Sequence, residues 1–128
     1  MNSTISPADL KLELAQFSGS DTFTRWSILF RNSVLTEGVA YLAEQAQCYW
    51  LMDLIASHQT SRKVRAEGFQ TWNLSKVNNK WTAIADDGNG NVIAKQVLDY
   101  SDFPLDSIKL FAVQNELGGI TIMLPGEY

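Results

Sequence analysis

One cysteine, one histidine and three prolines are all that this 128-residue chain holds of those residue types. A lone Cys48 has no internal disulfide partner, so nothing in the chain calls for an oxidising compartment. Cys48 and His58 together fall short of the four ligands that a structural zinc site takes. Three prolines and eight glycines exclude a collagen-like repeat, and 45% hydrophobic with 11% aromatic residues is too apolar for a disordered tail. The longest apolar run, Cys48 to Ala56, is broken by Asp53 and falls far short of the ~20 residues that cross a bilayer. The first seven residues, Met1 to Pro7, carry neither the basic nor the apolar segment of a secretory leader. The expectation is a cytoplasmic protein without membrane contact, metal or cofactor. Its length suits one domain, 1–128, able to bury about two thirds of its unfolded surface.

Positive charge is also scarce. Ten Lys and Arg face fourteen Asp and Glu, a net charge of -4. Residues 1–85 hold seven acids and eight bases, a balance of +1, whereas residues 86–128 hold seven acids and only Lys95 and Lys109, a balance of -5. General nucleic-acid binders draw affinity from neutralising phosphates. The one dense basic cluster here is Arg62-Lys63-Val64-Arg65, and three phosphate contacts give weak, salt-sensitive binding. A solvated connection between helix and sheet accounts for it better. Nucleic acid is therefore only a third option, with Trp72 as the base-stacking partner.

The first half of the chain has helical spacing. Ser6-Pro7-Ala8-Asp9 predicts a helix start, with Ser6 accepting from a free backbone N–H and Pro7 at the first helical position. Leu10, Leu14 and Phe17 follow on one face, and Ser18-Gly19-Ser20 ends the segment. Phe23 to Phe30 reads either as a short strand or as an irregular packed stretch. Leu35, Val39, Leu42, Ala46 and Tyr49 form one stripe of a 3.6-residue period. From Cys48 to Ile55 the segment is apolar on nearly all sides, as a core element is. Residues 36–59 are thus one long helix or two consecutive ones.

After Gly68 the period changes to two. Phe69 to Val77, Trp81 to Asp86, Val92 to Tyr100, Ile108 to Val113 and Ile120 to Leu124 are strand-length, and Ile120, Ile122 and Leu124 share one face. Asn78-Asn79, Asp87-Gly88-Asn89-Gly90 and Leu117-Gly118-Gly119 supply the turn residues. The expected fold is α+β in two layers: N-terminal helices packed on a four- or five-stranded antiparallel meander sheet.

Few residues suggest chemistry. Asp87, Asn89 and Asn91 alternate like calcium ligands, but Val92 and Leu98 stand where such a loop needs Gly and Glu, and strands flank it. A hairpin turn explains the segment. Cys48, among Tyr49, Trp50 and Met52, reads as a small core residue. His58 falls near Leu54 and Ile55, with no partner in sequence that would make it a general base. No catalytic residue is expected. Asp53, inside Trp50-Leu-Met-Asp53-Leu-Ile55, is costly unless exposed or paired. It is read as a partner of Arg25 or Arg31, or alternatively as an acid in a cleft. Of the four tryptophans, Trp72 or Trp81 would mark a binding surface if it lay on the sheet face away from the helices.

Several stretches also resemble a known family. Gly38-Val-Ala-Tyr-Leu-Ala-Glu44, Tyr49-Trp-Leu-Met-Asp53 with Ile55-Ala-Ser57, and Phe69-Gln-Thr-Trp72 are three of them. Asp86-Asp-Gly-Asn-Gly-Asn91, Tyr100-Ser-Asp-Phe-Pro-Leu105 and Leu124-Pro-Gly-Glu-Tyr128 complete the set. Over most of residues 20 to 128 the chain is similar to a small bacterial family of unknown function, found in chromosomes, cyanobacteria among them, and on mobile elements. The resemblance implies one compact unit and brings no activity, cofactor or catalytic residue.

Two functional expectations follow. The leading one is a non-enzymatic interaction protein that binds another protein through an acidic and aromatic surface formed by Trp72, Trp81, Asp86, Asp87, Asp99 and Asp102. By analogy with small mobile-element proteins that occlude a basic, nucleic-acid-binding surface, it would be an accessory or anti-defence factor. The alternative is a small ligand-binding domain or enzyme with a cleft between the central helix and the sheet, lined by Trp50, Asp53, Ser57 and His58. Homodimerisation through a sheet edge is compatible with each reading.

Overall fold

Ser6 opens the first helix as its sequence predicts: its hydroxyl accepts the Asp9 N–H at 3.1 Å and Pro7 takes the first turn. The computed structural model describes residues 5–19, 22–99 and 101–128. In chain order these form α1 (Pro7–Leu14), β1 (Phe23–Thr24), β2 (Val34–Thr36), α2 (Glu37–Gln45), α3 (Tyr49–Ser57), a 3-10 turn (His58–Thr60) and α4 (Arg62–Arg65). The strands β3 (Phe69–Val77), β4 (Lys80–Asp86), β5 (Val92–Leu98), β6 (Ser107–Gln114) and β7 (Ile120–Met123) follow, with a closing 3-10 turn (Pro125–Glu127). The architecture is α+β. Among the described residues no helix is long and apolar enough to cross a membrane. Tyr100, the expected end of the β5 strand, lies outside the described residues.

The segment 36–59 is two helices. Gln47 adopts a left-handed φ of 51°, and the Cys48 N–H reaches back to the Ala43 carbonyl at 3.0 Å. This is the backbone closure that normally uses glycine after a helix end. Here the Gln47 side chain adds its own hydrogen bond to the Glu44 carbonyl at 2.7 Å. The break at Gln47 redirects the chain into α3, whose Leu51 and Ile55 pack with Trp72, Leu74, Ala83 and Leu110 of the sheet. These residues, with Leu35, Val39, Leu42 and Met52, belong to the main core cluster.

The sheet corrects the expected four- or five-stranded antiparallel meander in three ways. It has seven strands in the order β1-β2-β7-β6-β3-β4-β5, and β2 runs parallel to β7. Leu35, which the helical stripe claimed, sits in β2 opposite Ile122. The five longer strands are also not a meander. β6 pairs with β3, so the connection between β5 and β6 crosses back over β3 and β4.

The C-terminal segment is fastened to the start of α2. Glu127 is buried, and its carboxylate accepts from the Thr36 hydroxyl at 2.6 Å, the Gly38 N–H at 2.9 Å and the Leu124 N–H at 3.0 Å. A negative charge against the exposed N–H groups of a helix start is favourable. Gly38 makes room for it: a Cβ there would lie 2.8 Å from a Glu127 carboxylate oxygen and 2.6 Å from Leu124.

Candidate functional site

Strand alternation decides which aromatics meet the outside. In β3, Gln70, Trp72 and Leu74 point to the helices, while Phe69, Thr71 and Asn73 point to the opposite face. Trp72 is 2% exposed and Trp81 is 4% exposed, so neither lies on an outer binding surface. The expectation that placed them there is corrected: both are core residues on the helix side. The Trp72 indole donates to Gln70 Oε1 at 3.0 Å, which a tryptophan needs when buried. Gln70, itself fully buried, donates to the Val64 and Glu67 carbonyls and exchanges hydrogen bonds with Gln59 at 2.8 and 2.9 Å. This amide ties α4 and the preceding turn to the sheet. The basic cluster is accordingly a short solvated helix with Val64 buried beneath it.

An aromatic cluster does occupy the outer face, made of residues that the sequence reading passed over. Phe69 and Phe111 lie 4.8 Å apart between ring centres, Phe69 and Tyr128 5.1 Å, and Phe111 and Tyr128 5.6 Å. Tyr128 is 75% exposed. The turn between β4 and β5 folds against this cluster, so close that a Cβ on Gly88 would sit 3.3 Å from the Phe69 ring.

That turn brings Asp86 and Asp87 to the cluster's edge. Asp86 shares the outer face with Thr82 and Ile84, and it lies opposite Thr71 on β3. Its carboxylate accepts the Gly88 N–H at 2.7 Å. Asp87 accepts from the Asn89 and Asn91 backbones and from the Asn91 side chain at 2.9 Å. The Asn91 side chain, then the backbone N–H groups, hold the Asp87 carboxyl below its ordinary pKa. Among the described residues no group of acids, histidine and cysteine is arranged to hold a metal ion. Asp99 and Asp102 are exposed at the far end of β5, roughly 20 Å away at about 3.4 Å per strand residue. The six expected surface residues therefore do not share one face. Asp86 and Asp87 stay together, and their aromatic neighbours are Phe69, Phe111 and Tyr128.

Of the four residues of the expected cleft, Trp50, Asp53 and Ser57 share the more exposed side of α3, whereas His58 reaches the sheet at Gln96. Asp53 is exposed and accepts the Trp26 indole N–H at 2.8 Å, which corrects its expected pairing with Arg25 or Arg31. Arg25 Nε instead donates to the Arg31 backbone carbonyl. Trp50 is half-buried, and the Ser57 hydroxyl returns to the Leu54 carbonyl at 2.8 Å. His58 Nε2 is 2.7 Å from Gln96 Oε1, and its ring packs on Trp72 at 5.3 Å. Cys48 is fully buried. Desolvation, with the Asp102 charge adding to it, pushes its thiol up to about 12, so it holds no thiolate near neutral pH.

The residue pattern matches a family of unknown function (DUF6876) over residues 8–128, and the chain belongs to that family. Comparison with curated proteins and with solved structures finds no match.

Proposed function

We propose that this chain is a non-enzymatic binding protein that engages another protein through the acid–aromatic corner of the outer sheet face. The observation that carries this reading is the contact cluster of Phe69, Phe111 and the largely exposed Tyr128, rimmed by Asp86 and Asp87. Tyrosine exposed beside packed aromatics is the kind of residue that anchors interfaces. Two carboxylates at the rim favour a partner bearing Lys or Arg, whose cations also gain from the ring faces. The acidic C-terminal third extends the same preference over a longer range. Covering a basic surface of another protein is the finer role, and an accessory or anti-defence factor of a mobile element is the setting it would serve.

The test is affinity capture from the native host, comparing wild type with Tyr128→Ala and with Asp86→Asn/Asp87→Asn. Asparagine keeps one acceptor oxygen at each position, enough for the backbone N–H groups of the turn, while removing two charges. A stoichiometric protein partner is expected. Tyr128→Ala should weaken it by about tenfold or more, and the Asn pair should slow association and flatten its salt dependence. A partner held equally well by both variants, or lost only when Asp99 and Asp102 are changed, refutes this placement.

A further inference from the structure

A separate cleft of about 630 Å³ opens between the β1–β2 connection, the 3-10 turn after α3 and the β6–β7 turn. That size lies within the range of small-molecule sites. Its lining holds two arginines, Arg31 and Arg65, and no carboxylate, in a chain whose net charge is -4. Among the described residues neither guanidinium is engaged by an acid, and the Asn32 side-chain amide is likewise without a partner.

Several polar groups around the cleft are already used in its construction. Asn115 Oδ1 accepts the Leu117 and Gly119 N–H groups at 2.9 and 3.0 Å. The Asn115 amide donates to the Asn32 carbonyl at 3.0 Å, and Gln114 donates to the Arg65 carbonyl at 2.6 Å. Gly119 presses so closely on the Asn32–Ser33 backbone that a Cβ would come within 2.3 Å of the Asn32 oxygen. The wall is therefore fixed before any ligand arrives, which spares a ligand the cost of ordering it. Beside the apolar Leu29, Phe30 and Ile120, the lining offers the cationic donors of Arg31 and Arg65 and no carboxylate to oppose an anion.

We infer that this cleft binds a small anionic molecule, with its oxyanion group on Arg31, Arg65 and Asn32 and its apolar body on Leu29, Phe30 and Ile120. Arginine suits this task because its planar fork matches phosphate or carboxylate oxygens two at a time. The site uses none of the residues of the acid–aromatic corner, so each reading stands or falls alone.

The experiment is titration of the 15N-labelled protein at low salt with inorganic pyrophosphate, citrate and adenosine 5′-monophosphate, read by NMR shifts and calorimetry. Saturable shifts confined to residues 29–33, 59–65 and 114–120 are expected, with a dissociation constant at or below about 1 mM. Pyrophosphate alone or citrate alone identifies the head group as phosphate or carboxylate, and tighter binding of the nucleotide supports the apolar subsite. Arg31→Gln and Arg65→Gln should each weaken binding by roughly tenfold or more. Both side chains are exposed, and the hydrogen bonds these residues give the fold come from their backbone groups, so the variants should fold. Lys63→Gln, outside the cleft lining, is the control and should change little. No saturable binding of any of the three probes overturns the inference, as does equal weakening by Lys63→Gln.

Discussion

Replacing Glu127 by Gln tests whether the C-terminal segment stabilises the fold through the start of α2. The substitution keeps the side-chain shape and exchanges one carboxylate oxygen for an NH2 group. Glu127 Oε1 serves two donors, Thr36 and Leu124, while Oε2 serves only Gly38, so the cheaper orientation places the NH2 against the Gly38 N–H. One charge-assisted hydrogen bond is then lost and two donors face each other in a buried setting. Such a loss costs about 2 kcal/mol, part of it the attraction between a carboxylate and a helix start. For a domain of this length about 2 kcal/mol corresponds to a Tm lower by roughly 6–10 °C. Urea unfolding followed by tryptophan fluorescence gives the free energy, and the slope against urea should not change. Glu116→Gln, at an exposed carboxylate in the β6–β7 turn, should stay within about 0.5 kcal/mol of wild type. If Glu127→Gln matches that control, the three short hydrogen bonds contribute nothing net and the reasoning fails.

Other perturbations follow from the same close packing. Gly119→Ala should destabilise by more than about 2 kcal/mol in thermal or urea unfolding, because its Cβ would strike the Asn32 backbone rather than a side chain that can move. Cys48 should resist thiol-specific alkylation in the native protein and react only at the rate of unfolding. Its folded pKa, raised to about 12 from 9.0, contributes stability that is complete below pH 9 and lost as pH rises toward 12. Cys48→Ala should therefore flatten that alkaline decline in a series of unfolding curves. Asp87 has the opposite sign: its lowered pKa gives support that is present above the ordinary carboxylate range and lost as pH falls through the folded value. Amide exchange at Asn89 and Asn91, corrected for its intrinsic pH dependence, should lose protection in that acidic window, and Asp87→Ala should remove the pH dependence.

What was legible in the sequence was local. The Ser6 cap, the five long strands and the turns at Asn78-Asn79 and Asp87 to Gly90 each rest on a few neighbouring residues whose chemistry has one favourable outcome. β2 was not legible, because its three residues become a strand through pairing with the two-residue β1 on one side and, in parallel, with β7 on the other, more than eighty positions away. Leu35 fits a helical stripe equally well, and sequence spacing alone gives no reason to prefer the strand. The break at Gln47 was hidden for a related reason: glycine normally signals a left-handed helix end, and here a glutamine accepts that conformation and compensates with a side-chain hydrogen bond. The arginine cleft draws on four segments spread from residue 29 to 120, so no window of sequence contains it.

The outer aromatic face is a more instructive miss, because parity along β3 contained the answer. A strand presents alternate residues to opposite faces, so moving the assignment by one residue exchanges the two surfaces entirely. Phe69, Thr71 and Asn73 form one set; Gln70, Trp72 and Leu74 form the other. The second set carries the larger apolar load and belongs inside, which leaves Phe69 outside. Gln70 obscures this, since a fully buried glutamine is unusual until its amide is seen to meet four separate partners: Gln59, Val64, Glu67 and Trp72. Phe111 is opposite Thr71 in the β3–β6 register, and β6 alternates in step, so it must emerge on the same face as Phe69. The partner-binding surface proposed for this protein thus follows from strand parity once Gln70 is placed inside, and Tyr128→Ala tests that surface without touching the core that parity also defines.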